Sequence, residues 1–394
     1  MRRSHEFKIG MAFLVLAVAL GIGSACMSDQ PGSTAMAGDG DVPLFEVDPM
    51  WPNPLPNHWV TGSTIGVGVD SRDHVWVIHR EGTLGPNETG GVGDPPRYEC
   101  CVPAPPVLEF DPDGNLVGSW GGPGEGYDWP MSNHGITVDH MDNVWIGGNG
   151  INDKHLLKFT RDGQFLLQAG EPGVGADSND RENFFRVAEV EIDADANEAY
   201  VADGYGNRRV AVLDMDTGVM KRYWGAYGNT PHDDPMPAYS PDDPPSQQFR
   251  SPVHCAQPSN DGLIYVCDRA NDRIQIFQPD GTFVSEAFVA PETLGSVSAW
   301  DLAFSHDPEQ AFIYLADGGN QKVHVINRET MEVVTEFGDG GRQPGQFYGV
   351  HSITVDSQGN IYTTETYEGK RLQKFVFQGY GSPARDQGVV WPSD

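Results

Sequence analysis

Apolar and polar residues alternate along this chain in short bursts, not at helical spacing. GVGVDSRDHVWVIHR from Gly66 reads as a strand, an acidic turn and a second strand. The same half-unit recurs as GITVDHMDNVWIGGN from Gly135, VEIDADANEAYVADG from Val190, CAQPSNDGLIYVCDR from Cys255, DLAFSHDPEQAFIYLADG from Asp301 and SITVDSQGNIYTTE from Ser352. Two further strands around a turn follow each one: PVLEFDPDGNLVGSWG from Pro106, HLLKFTRDGQFLLQAG from His155, RVAVLDMDTGVMKRYWG from Arg209, RIQIFQPDGTFVSEAF from Arg273 and KVHVINRETMEVVTEFG from Lys322. The sixth copy stops short at RLQKFVFQG from Arg371. β-Branched and aromatic runs bounded by Asp-Gly or Gly-Asn turns are the signature of hairpins. A repeat of roughly 45–70 residues holding four short strands is a propeller blade.

The pattern therefore predicts an all-β chain, a six-bladed β-propeller over residues 42–394. The last copy lacks a clear fourth strand. Leu44 to Val47, with Phe45 and Val47 on one face, supply it from the N-terminus and close the ring, which removes an open sheet edge. Two Pro/Gly-rich insertions, about 82–105 and 227–246, read as loops, and such loops often border a site.

The segment ahead of the repeats reads differently. Arg2, Arg3 and Lys8 precede a nearly apolar stretch from Ile9 to Gly23, too short to span a bilayer comfortably, then small residues to Ala25. Residues 1–25 are expected to be an export signal. Cys26 stands where a lipoprotein cysteine would, so the protein is expected to be exported as a periplasmic or cell-surface lipoprotein of a bacterium. Residues 26–41 then form a flexible tether. The competing reading is cleavage after Ala25 with an unmodified Cys26.

Composition narrows the partners. The 394 residues carry 25 Lys plus Arg against 56 Asp plus Glu, a formal charge of −31. Such acidity argues against nucleic acid, and against an anionic membrane surface, as the main partner. Membrane contact is left to a lipid anchor at Cys26. Forty-eight Gly and 30 Pro argue against a long-helix protein, while 38% hydrophobic residues suffice for a core. In an oxidising compartment the four remaining cysteines can form disulfides. Cys255 and Cys267 flank a hairpin turn and could pair; Cys100 and Cys101 are neighbours in a Pro-rich loop. Connectivity stays open.

Aligning the six copies on the acidic turn brings out candidate chemistry. His134, His254 and His351 hold the same position in copies two, four and six, where copies one, three and five have Ile65, Ala188 and, approximately, Trp300. Alternate blades of six lie about 120° apart, so the three imidazoles should meet on the axis. Three neutral imidazoles form an open divalent site with a position left for water or substrate. The other nine histidines share no such register, and most are expected in loops or on the surface. A second register closes the second strand. Arg80 and Arg269 fall at one place in blades one and four, as guanidinium forks suited to a carboxylate. Tyr205 adds a phenol near the same rim. Asp203, Asp268 and Asp317 are expected to be structural, bonding the backbone of the turns after them.

The blades resemble NHL repeats from about residue 42 onward. Among such propellers the chain resembles peptidyl-α-hydroxyglycine α-amidating lyase. The shared motifs are VIHR ending at Arg80, NHG at His134, ADGYGNRR from Ala202, PVH ending at His254, CDRANDRIQIF from Cys267 and VHSI around His351. The resemblance implies zinc held by His134, His254 and His351, Tyr205 as base, and Arg80 and Arg269 lining the site. It also implies a structural calcium bound by an Asp after the third His. Ser352 stands there, which counts against Ca2+. Gly349-Val350 replace the family's Met-Pro, and Gly206 replaces a cysteine.

The expected function is a zinc lyase cleaving the N–C bond of an α-hydroxyglycine-type carbinolamide to an amide and glyoxylate. The metal acts as a Lewis acid, and Tyr205, its pKa lowered by the cation and the arginines, acts as base. The expected partner is a small molecule or peptide bearing a carboxylate, and the protein is expected to be a monomer. The alternatives are a metal-dependent propeller hydrolase such as a lactonase, and a non-catalytic NHL binding module.

Overall fold

The computed structural model describes residues 40–383. Those residues form six four-stranded antiparallel sheets arranged as blades. Blade one is built from Ser63–Val69, Val75–Arg80, Val107–Phe110 and Leu116–Trp120. Blade two follows as Asn133–Val138, Val144–Gly148, His155–Phe159 and Phe165–Gly170. Blades three, four and five run as meanders from Glu189–Asp193, Val253–Pro258 and Asp301–Phe304. Blade six combines Val350–Val355, Ile361–Glu365 and Leu372–Gly381 with the N-terminal strand Val42–Asp48. Val42 faces Gly381 and Asp48 faces Lys374 in that seam. Phe45 and Val47 are buried there, and the Phe45 ring meets the edge of Tyr314 in blade five at 5.4 Å. The predicted closure is observed, with three residues more than Leu44 to Val47.

The acidic turns have a specific job. Asp139 accepts from the Asn143 amide at 2.9 Å and from the Trp145 indole N–H at 3.1 Å. Asp70 does the same for His74 and Trp76, and Asp356 for Asn360 and the Tyr362 hydroxyl. One carboxylate thus closes the turn and satisfies the buried polar atom of an aromatic in the next strand. In four of the six blades the fourth residue of the turn is left-handed, which explains Asp73, Asp142, Gly262 and Gly359 at that place.

The core lies between blades. Ile65, Trp76 and Val107 of blade one pack with Ile136, Val144, Leu157 and Phe159 of blade two, all essentially buried. Each large apolar side chain so buried contributes roughly 1.5–3 kcal/mol. Packing between neighbours makes the ring cooperative.

Several finer expectations change. Asp203 and Asp268 do not serve chiefly the turn backbone. They accept from the side chains of Asn207 and Asn271 and pair with buried Arg209 and Arg273, at 2.8 and 2.7 Å. Asp317 keeps the expected role, accepting from the Asn320 backbone amide at 2.8 Å, and also bonds the Asn320 and His324 side chains. His79, His155 and His324 are buried, unlike most of the histidines outside the axial register. His79 accepts the Gly62 amide at Nδ1 and donates to the Pro105 carbonyl from Nε2. His155 donates to the Asp128 carbonyl, so His79 and His155 both serve loops that spacing could not show, while His324 pairs with Asp317 of the neighbouring strand. Cys255 and Cys267 pair across adjacent strands with an S–S distance of 2.04 Å, and Cys100 pairs with Cys101 in the first insertion. The expected signal, Cys26 and all but the last two tether residues lie outside the described residues.

Candidate metal centre

His134, His254 and His351 are each the second residue of an innermost strand, in blades two, four and six. At each of them the pairing with the second strand slips. A bulge there turns the side chain out of the sheet and toward the axis, a common use of bulges beside sites. The rings converge as expected, with centroids 5.2, 4.8 and 4.8 Å apart. One ligand atom from each lies within 4.8 Å of the other two.

Their protonation suits a metal. Burial is the main cause that holds all three well below the ordinary histidine pKa, and Arg80 and Arg269 push them further. The imidazoles are therefore neutral. His134 donates from Nδ1 to the Ala188 carbonyl at 2.7 Å, which leaves Nε2 as the electron-pair donor. His351 Nδ1 meets the Ser352 hydroxyl at 3.2 Å. His254 Nδ1 is buried beside the Trp300 main chain. Three neutral nitrogen donors around one point fit a borderline divalent ion better than a hard oxygen-seeking one.

Tyr205 completes the centre. Its hydroxyl lies 3.1 Å from His134 Nε2 and 3.0 Å from His254 Nε2. It stands two residues beyond the strand Glu198–Asp203, where Gly204 is pressed against the Val253 main chain with no room for a Cβ. Burial pushes the phenol above its ordinary pKa, while Arg269 and Arg80 pull it down. The expected lowering by the arginines is present, but burial outweighs it in the protein alone.

Arg80 and Arg269 line the same cavity, about 290 Å³ in volume. Arg80 donates to the Asn133 carbonyl at 3.0 Å and to Asn149 Oδ1 at 2.8 Å. Arg269 lies flat over Trp300, 3.4 Å from the ring centroid, and reaches the Tyr205 hydroxyl at 3.4 Å. Among the described residues no Asp or Glu forms an ion pair with either guanidinium. All six predicted site residues are thus brought together.

Residues outside the predicted set also belong here. Asn149 directly follows the second strand of blade two, at the register of Arg80, and extending that register to GGN would have found it. Trp300 holds the blade-five slot and was visible there only as an occupant. Arg186 has no sequence signal; its guanidinium sits 5.9 Å from the Tyr205 ring and donates to the Asn149 carbonyl. A second cluster of possible ligands, Asp70, His74 and Glu109, is an ion network instead, because the Arg161 guanidinium binds both carboxylates.

No protein-family model matches the chain. NHL repeat-containing protein 3 of Mus musculus is 26% identical over 354 residues, covering 85% of this chain and 84% of that protein. Peptidyl-alpha-hydroxyglycine alpha-amidating lyase 1 of Drosophila melanogaster is 28% identical over 278 residues, covering 65% of this chain and 47% of that protein. Peptidyl-glycine alpha-amidating monooxygenase A of Xenopus laevis is 26% identical over 260 residues, covering 63% of this chain and 24% of that protein. The chain thus spans about half the length of the lyase and a quarter of the monooxygenase. A solved structure of a protein of unknown function from Bacteroides thetaiotaomicron aligns with a TM-score of 0.50 at 13% identity, over 81% of this chain and 70% of that one, which bears on the fold alone. The chain is a distant homologue of NHL-repeat proteins and of amidating enzymes, in keeping with the resemblance read from its motifs.

Proposed function

We propose that the protein is a metal-dependent carbon–nitrogen lyase that splits an α-hydroxyglycine-type N–C bond into an amide and glyoxylate. The observation that carries this reading is the placement of the Tyr205 hydroxyl between two neutral imidazoles, in a cavity with two arginines free of acidic partners. Arg80 and Arg269 offer guanidinium forks to the carboxylate that leaves as glyoxylate. Tyr205 as phenolate takes the proton of the α-hydroxyl. The C–O double bond forms as the C–N bond breaks, its electron pair passes to nitrogen, and the proton is returned there from Tyr205. His134, His254 and His351 would hold the metal, zinc by their chemistry, which supplies Lewis acidity to a substrate oxygen and positive charge beside the phenol. The two disulfides support an exported location.

Metal analysis beside a glyoxylate-release assay on α-hydroxyglycine derivatives tests the reading. Wild type should hold near-stoichiometric zinc, and His134→Ala/His254→Ala should lose it. Tyr205→Phe should keep the zinc and lose about 10²- to 10⁴-fold in turnover, the usual worth of a general base. Unchanged turnover would remove Tyr205 from the mechanism.

A second reading, a non-catalytic NHL propeller, is favoured by one observation: the NHL repeat-containing relative aligns over more of both chains than the lyase does. It predicts no glyoxylate from metal-loaded protein with any such substrate.

A further inference from the structure

A third guanidinium stands at the rim of the metal centre. Arg186 lies in the loop before blade three, half-buried, with a left-handed backbone at φ 64°. That conformation is uncommon for a residue with a long side chain, and here the surroundings impose it. The Arg186 amide donates to the Asp153 carbonyl at 2.9 Å, and its carbonyl accepts from the Tyr205 amide at 3.1 Å. The guanidinium is thereby set beside the phenol, 5.9 Å from the ring. Asn149 ties it to the site. The Asn149 carbonyl accepts from Arg186 Nε at 2.7 Å, while Asn149 Oδ1 accepts from Arg80 at 2.8 Å. Both neighbours of Arg186, Asn149 and Tyr205, line the cavity.

A structural arginine in this protein spends its whole fork. Arg209 gives Nε to Asp203 and its terminal nitrogens to the carbonyls of Ser178, Asp180 and Asn183. Arg186 spends Nε alone. Among the described residues its two terminal nitrogens have no hydrogen-bond partner, and no Asp or Glu forms an ion pair with it. Asp153, which anchors its amide, uses its carboxylate on the amides of Met131, Ser132 and Gly150. A chain with 56 Asp plus Glu against 25 Lys plus Arg thus leaves three arginines unanswered around one cavity. The carboxylate that leaves as glyoxylate employs Arg80 and Arg269. Like charges gathered without a counter-ion repel, and one carboxylate does not answer three guanidiniums.

We propose that Arg186 determines specificity by binding a second anionic group, a carboxylate on the acyl side of the scissile N–C bond. The preferred substrate is then a dianionic N-acyl-α-hydroxyglycine and not one with a neutral acyl group. The identity of the scissile bond rests on the lyase reading; the second anion rests on Arg186.

Titration calorimetry on the zinc-loaded full chain tests this with unreactive analogues that lack the α-hydroxyl. N-succinylglycine carries a carboxylate at each end, and N-succinamoylglycine has the same shape with an amide at the acyl end. Wild type should bind the first roughly ten- to hundred-fold more tightly, the worth of a hydrogen bond between charged groups. Arg186→Gln should bind both alike, at the affinity wild type shows for the amide. Arg186→Lys, carried in parallel in case the glutamine variant does not fold, should keep part of the preference. A merely structural Arg186 would weaken both compounds together and leave their ratio unmoved. Equal binding by wild type, no binding of either compound at millimolar concentration, or an unchanged ratio in Arg186→Gln overturns the proposal. Glyoxylate release from the α-hydroxy forms of both compounds should show the same preference in kcat/KM. No glyoxylate from either, with the calorimetric ratio intact, would sink the lyase reading and leave the anion site at Arg186 standing.

Discussion

Blades one and four finish their second strands with the same two-step pattern, His79-Arg80 and Asp268-Arg269, and the two members of each pair have opposite fates. His79 and Asp268 turn into the protein and are fully buried. His79 holds Gly62 and Pro105, and Asp268 holds Arg250, Asn271 and Arg273. Their followers turn to the cavity and lack a carboxylate. Arg273, four residues after Arg269, sharpens the contrast: it is completely buried and paired with Asp268 and Glu286. A guanidinium whose charge is already answered is structural. One left unanswered beside a cavity is available to an anionic ligand.

Breaking the structural member should have the largest effect. Arg273→Met leaves Asp268 as a buried charge without its partner, and should cost about 3–5 kcal/mol in urea unfolding. If stability held, the division between the two arginines would fail. His79 gives the next effect, through pH. Burial pushes its pKa down from 6.5 to about 4. Below pH 6.5 the unfolded chain binds a proton that the folded chain refuses. Stability should therefore fall as pH drops from 6.5 toward 4, by about 3 kcal/mol in all, then level off for this group. In His79→Gln that part of the slope should vanish, as read from melting temperature against pH.

The site members should behave in reverse. Arg269→Met should leave unfolding within about 1 kcal/mol of wild type yet lower kcat/KM for glyoxylate release roughly 10- to 100-fold, the worth of a charged hydrogen bond. The smallest change comes from Trp300→Phe, which keeps an aromatic face under Arg269 but trades the indole, the best cation–π partner, for a benzene ring. About a five-fold loss in kcat/KM with unchanged metal content is expected. A loss of metal instead would show that Trp300 supports His254 and His351 rather than Arg269.

Much of this was legible in the amino-acid order, for a physical reason. A hairpin needs its turn residues at fixed places, so six copies of one unit expose the blade count. Repetition also makes registers comparable, and that brought His134, His254 and His351 together without any contact being known. What stayed hidden were properties set by neighbours distant along the chain. The burial of His79 and the approach of Arg186 to Tyr205 depend on how loops return over the blades. The balance at Tyr205 is hidden for the same reason: the arginines are legible in the order of residues, but the extent of burial that outweighs them is not.

The seam that completes blade six makes the molecule a circle with one non-covalent link. Val42 and Gly381 are paired neighbours, so the two ends of the ring meet at a single outer edge, away from the axis. A short turn joining them would make the sixth blade a continuous meander like the other five. The chain could then be opened at an exposed loop between other blades, moving the joint around the circle while the three imidazoles keep their places.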